Sequence, residues 1–208
     1  MANKDAPFGF RAIGGMGSSY ETQGNSQYQI ADNSTSPIYQ GDLCMTGGYN
    51  SDQTDANSVA VAVGYISCSS VTENILNIGV FNGCFYNDPT TQKPTWKNYY
   101  PASVNITQGK IDAFVYDNPM QLFEVQAYST LSQSDMGNMV ELGTYAAGST
   151  VNGHSKTVIS NGAISNTAQF RLIRVSEDPN NSDISSANCN WVVKFNEHIY
   201  YARTVKTA

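Results

Sequence analysis

Two histidines, seventeen carboxylates and four cysteines are the side chains of this sequence with the most chemistry to offer. Their spacing assembles little of it. His154 sits in the turn-like run Asn152-Gly-His-Ser155, and His198 is expected on the outward face of a final strand. No G-x-S-x-G elbow accompanies either, so both read as surface or satisfied histidines. Gly14-Gly-Met-Gly17 lacks the G-x-G-x-x-G spacing and a preceding strand, which argues against a phosphate cradle. The run Asn50 to Asn57 offers side-chain oxygens, but it lacks the sixth-position glycine and twelfth-position glutamate of a calcium loop. Cys44, Cys68, Cys84 and Cys189 contain no C-x-x-C pair, so reduced thiols are expected rather than a zinc site. Paired carboxylates for glycoside hydrolysis are marked by no spacing. No metal and no cofactor is implied.

Aromatic residues carry more information. The chain opens Met1-Ala-Asn-Lys-Asp-Ala-Pro-Phe-Gly-Phe-Arg11, a short arm with an apolar centre. The apolar run is too short for the core of a signal peptide, and Pro7 and Arg11 interrupt it. Burial stabilises a phenylalanine by roughly 1.5–3 kcal/mol, so Phe8 and Phe10 are expected to find cover. Either the arm folds back on its own domain or it docks on another chain. Gly14, Gly15 and Gly17 predict a flexible hinge after it. A second group, Trp96-Lys-Asn-Tyr-Tyr-Pro101, places Trp96, Tyr99 and Tyr100 beside a polar loop. It reads as an aromatic plug or subunit interface, or as a sugar-stacking platform.

The elements that must position these residues are strands. Charged residues are 13% of the chain, and Asn, Ser, Thr, Gln and Gly fill the gap, a mix poor in helix formers and rich in turn formers. Period-2 patterns recur at Ser58–Ile66, Leu76–Val80, Phe81–Tyr86, Ile111–Tyr116, Leu122–Ala127, Ala168–Val175 and Trp191–Tyr201. Asn82-Gly83 predicts a bulge or a tight turn, and Asp117-Asn-Pro119 a turn. About nine or ten strands at regular spacing predict an all-β fold, an antiparallel sandwich, jelly roll or barrel-like body with an extended N-terminal arm. The expected division is residues 1–25 as arm and glycine-rich hinge and 26–208 as β body, with a waist near 129–138. Net charge is −6, and no Lys or Arg lies between Arg11 and Lys93. That stretch cannot neutralise phosphates, which argues against nucleic acid and against an anionic membrane surface as partners.

Several segments, in order, resemble head decoration (cement) proteins of tailed bacteriophages. They are the opening eleven residues, Ile38-Tyr-Gln-Gly-Asp-Leu43, Ile78–Tyr86 with Trp96–Ala102, Val115–Pro119, Phe123–Gln126, Arg171–Arg174 with Pro179-Asn180, and Val193–His198. The resemblance implies a non-enzymatic virion protein, assembled in the host cytoplasm onto the outer surface of the capsid. It implies the major capsid protein as partner and self-association as a homotrimer. Pro7, Phe8, Phe10 and Arg11 are then expected to contact capsid or neighbouring subunits, with Arg11 pairing a partner carboxylate. The alternative is a carbohydrate-binding β module on a phage appendage, with Trp96 at its centre.

Overall fold

The computed structural model describes residues 3–17, 24–32, 34–46, 66–68, 77–106, 109–143, 148–160 and 168–201. Twelve strands are found among them: β1 (Arg11–Gly15), β2 (Ser26–Ile30), β3 (Leu43–Thr46), β4 (Ile66–Cys68), β5 (Asn77–Asn87), β6 (Pro94–Lys97), β7 (Ile111–Tyr116), β8 (Gln121–Gln126), β9 (Met139–Leu142), β10 (Ile159–Ser160), β11 (Phe170–Val175) and β12 (Asn190–Phe195). A single 3₁₀ turn at Gln133–Asp135 is the only helical element among the described residues. The expected all-β sandwich is what forms. One sheet runs β1-β8-β12-β11-β9-β10, the other β2-β7-β5-β3-β4, with β6 on the far end of β5. Every ladder between named strands is antiparallel. The second sheet curls into a half-barrel and brings β2 against β4.

Side-chain alternation explains both cores. Phe123 and Val125 of β8, Phe170 and Leu172 of β11, and Trp191 and Val193 of β12 point from the first sheet into one cluster. Leu43 of β3 and Val80 of β5 enter the same cluster from the other sheet. Their neighbours Cys44 and Phe81 turn the opposite way, into a second cluster inside the curl. β3 and β5 therefore serve two cores with alternate residues, as a period of two requires. The Asn82-Gly83 step is a bulge, not a turn: β5 continues through it, and its register on β7 shifts between Phe81 and Gly83. The bulge lets Phe81 and Cys84 both face the interior of the curl.

Two expectations are corrected, on the hinge and on His198, and the expected turn at Asp117-Asn-Pro119 is present. Gly14 and Gly15 form no hinge but the end of β1, which is hydrogen-bonded to β8. Asp117-Asn-Pro119 reverses the chain locally, yet β7 and β8 do not pair; the turn hands the chain from one sheet to the other. The last strand ends at Phe195, and His198 does not face outward but is buried. Near the expected waist, Leu131 is only 2% exposed and belongs to the main core. Cys44, Cys84 and Cys189 are buried, while the side chain of Cys68 lies outside the described residues, as do Ser58–Tyr65 and the polar run 50–57.

His198 clasps the segment after β12 to β5. Its Nε2–H donates to the Ile78 carbonyl at 2.9 Å, and its Nδ1 accepts the Tyr200 N–H at 3.1 Å. Phe195, Tyr200 and Tyr201 surround the ring. With one nitrogen accepting, the imidazole must be neutral. Burial holds its pKa below the ordinary 6.5, against the opposing pull of the Ile78 carbonyl and Asp117. The folded state thus binds the proton less well than the unfolded chain. Stability from this residue is present above about pH 6.5 and is lost as pH falls from there through the depressed value. Thermal unfolding as a function of pH checks it. Melting temperature should fall as pH drops below about 6.5, with a slope of at most about 1.4 kcal/mol per pH unit. His198→Gln should flatten that limb, and an unchanged limb in the variant would assign it to other groups.

Candidate functional site

The arm is bound to its own body along its whole described length. Asn3 donates to the carbonyls of Asp183 and Ala187 and accepts the Asp183 N–H. Asn181 and Gln126 hold the backbone of Lys4 and Ala6 between them. Gly9 adopts φ +75°, and a side chain there would strike Ser155 at 2.6 Å and the Gly41 carbonyl at 2.8 Å. This close approach drives Phe10 inward. Phe10 is 3% exposed, stacked on Phe170 at 4.6 Å and edge-on to Phe123. Phe10 is thus core and cannot contact a capsid subunit while the arm is seated. Arg11 pairs through Nε and Nη2 with the buried carboxylate of Glu124, which also accepts the Ser176 hydroxyl at 2.6 Å. The carboxylate expected on a partner is supplied by this chain. Pro7 and Phe8 stay at the surface, half-buried, with the Arg11 guanidinium 5.1 Å from the centre of the Phe8 ring.

Beside the arm lies a cleft of about 350 Å³. Its floor is a backbone lattice around Gln40 and Gly41. Gly41 accepts from Phe10 N–H and donates to the Phe81 carbonyl; Gln40 accepts from Ser155 N–H and donates to the Gly153 carbonyl, all at 2.9 Å. Under the floor, the buried carboxylate of Asp42 accepts from Ser155 Oγ, Thr157 Oγ1 and the Tyr39 N–H. The walls carry Phe8, Arg11, Asn82, Tyr116, Asn152 and His154. Asn82 is there because it is the extra residue of the β5 bulge. Its Oδ1 accepts from Gln40 Nε2 at 3.0 Å.

The three aromatic residues expected to act together are separated by the fold. Tyr100 is fully buried, bridged to Ile38 and hydrogen-bonded through its hydroxyl to the Ser34 carbonyl, so it cannot form an interface. Tyr99 is half-buried and stacked on Tyr39 at 5.8 Å. Trp96 alone is open, at 51%. Its partners are residues the sequence did not single out. Phe85 stands opposite it across the β5–β6 ladder and is 39% exposed, and Phe114 of β7 lies 5.1 Å away, ring to ring. Gly83 opens the space beneath: a Cβ there would meet the indole at 2.5 Å. Phe85, Trp96 and Phe114 form an apolar face on the outside of the curled sheet. Only cross-strand register could reveal it, since the three come from separate strands.

Among the described residues no group of three or more His, Cys, Asp or Glu could hold a metal ion, and no helix is long and apolar enough to cross a membrane. Burial pushes the Cys84 thiol up to about 12 and the Cys189 thiol up to about 11, which keeps both protonated and poorly nucleophilic. Compared with protein-family models, with curated proteins and with solved structures, the chain has no match.

Proposed function

We propose that this chain is a non-enzymatic decoration protein of a tailed-phage head. In this reading it binds the major capsid protein on the outer surface of the virion, as a homotrimer. The order of segments that resemble such proteins supports the reading, and the acidic, low-charge surface suits a partner other than nucleic acid or membrane. The observation that carries it is the outer face of Phe85, Trp96 and Phe114. Exposed Phe85 and Trp96 on paired strands forgo burial unless something covers them, and buried aromatic anchors dominate protein interfaces. Many copies on one shell would multiply a modest contact by avidity.

Co-sedimentation with undecorated heads tests this. Wild-type protein should bind saturably at a fixed copy number. Trp96→Ala is expected to weaken binding by roughly thirtyfold, the effect of losing an interface anchor worth about 2 kcal/mol. Phe8→Ala, on the surface of the arm, gives a second probe that leaves the core intact. Absence of binding by the wild-type protein would overturn the proposal.

A further inference from the structure

We propose that the cleft beside the arm is a binding site for a neutral saccharide of about two rings. The inference does not rest on the head-binding reading: β5 carries both Asn82 and Phe85, but the cleft's other polar walls come from Gln40 and the 152–154 turn, away from Trp96 and Phe114.

Four observations point to this ligand class. First, the size fits: about 350 Å³ lies at the small end of ligand sites. Second, the walls offer paired donors and acceptors in a fixed array. Gln40 Nε2 donates to Asn82 Oδ1, which fixes both amides. Gln40 Oε1 is left as an acceptor and Asn82 Nδ2 as a donor. Asn152 Oδ1 accepts the His154 N–H, which leaves Asn152 Nδ2 and the imidazole to the cleft. Adjacent sugar hydroxyls, each both donor and acceptor, complement such an array. Third, Phe8 and Tyr116 add ring surface for the C–H face of a pyranose. Fourth, the site has little charge to spend on an ion. Its one guanidinium, Arg11, is already neutralised by Glu124.

The same geometry argues against strand addition of a peptide on the cleft's floor. Peptide capture by strand addition needs a free backbone edge. Here the floor's backbone groups at Gln40 and Gly41 are engaged with Phe10, Phe81, Gly153 and Ser155. The polar side chains of the lining are those of Gln40, Asn82, Asn152 and His154, with Arg11. They are also preorganised: Asn82 is set by a bulge, Gln40 by the backbone lattice, and the 152–154 turn by Asn98 Nδ2 donating to the Asn152 carbonyl at 2.7 Å. Little ordering then remains to oppose binding.

The test is a titration of the full chain with maltose, cellobiose, lactose and N,N′-diacetylchitobiose, followed by amide NMR. At least one disaccharide should shift the side-chain amides of Gln40, Asn82 and Asn152 saturably. Asn82→Ala and His154→Ala should each weaken that binding roughly three- to tenfold, the effect of one lost hydrogen bond. His154 is on an exposed turn, so its variant stays informative even where the bulge variant misfolds. Trp96→Ala should leave the affinity unchanged. Absence of shifts with all four sugars overturns the proposal. So does binding that Trp96→Ala abolishes and the cleft variants leave intact, which would move the saccharide to the outer aromatic face.

Discussion

Phe10→Ala is expected to destabilise the fold by about 3–5 kcal/mol, the range for truncating a buried phenylalanine. The ring is 3% exposed and makes a stacked contact with Phe170 and an edge contact with Phe123. Phe170 and Phe123 in turn meet Phe195, so the deletion opens a cavity in the middle of a four-ring cluster. Neighbouring strands are tied by ladder hydrogen bonds and cannot collapse into it. At roughly 2–4 °C per kcal/mol for a chain of this size, the melting temperature should fall by about 10 °C. Phe8→Ala, two residues earlier, should cost less than about 1 kcal/mol, because Phe8 lies at the surface. Chemical denaturation of the two single variants separates the claims. Near-equal effects would mean that the arm is not seated as described. The contrast also governs how arm deletions are read. A chain without residues 1–11 loses a core side chain and the Glu124 partner together, so failure to bind heads would report unfolding as readily as a lost contact.

The strands were largely legible in the sequence because alternation is a local signal. Ile111–Tyr116 alternates buried and half-buried residues as its pattern predicts. Long-range choices were not legible. The two phenylalanines of the arm announced a need for cover, yet nothing within eleven residues says that the cover for Phe10 is Phe170 rather than another chain. Asp117-Asn-Pro119 encodes a reversal, but a reversal serves a hairpin and a change of sheet equally well. Alternation also misled at the end of the chain. It persists through Trp191–Tyr201 although the strand stops at Phe195, where Asn196 and Glu197 turn their N–H groups to the Gln169 carbonyl. His198 is buried there by a turn, not by a strand face. The cleft draws Asn82, Gln40, Asn152 and His154 from three distant segments, so no spacing could have assembled it. Trp96 was visible as a candidate; its true neighbours depended on register.

Asp42→Ala is the second large effect expected, again about 3–5 kcal/mol, because it strands several buried donors at once. Asp42 is 1% exposed. Its Oδ1 accepts from Ser155 Oγ at 2.5 Å and Thr157 Oγ1 at 3.2 Å, and its Oδ2 accepts the Tyr39 N–H at 2.8 Å. Hydrogen bonds to a carboxylate are stronger than neutral ones, and a methyl group can replace none of them. Ser155 and Thr157 are themselves buried, so water cannot take over without opening the structure. Asp42→Asn keeps the shape and one acceptor but turns a donor toward a donor, so its loss should be real and smaller. The position matters beyond stability. Asp42 fixes the Tyr39–Asp42 turn, and that turn presents Gln40 and Gly41 to the arm, to β5 and to the 153–155 segment. Asp42→Ala should therefore shift the side-chain amides of Gln40 and Asn82 even under conditions where the chain remains folded, whereas Phe8→Ala should leave Gln40 in place. Denaturant unfolding and amide NMR on the same samples check both parts. An alanine variant within about 1 kcal/mol of wild type would mean that the hydroxyls rearrange around the loss, and that the floor of the cleft does not depend on this carboxylate.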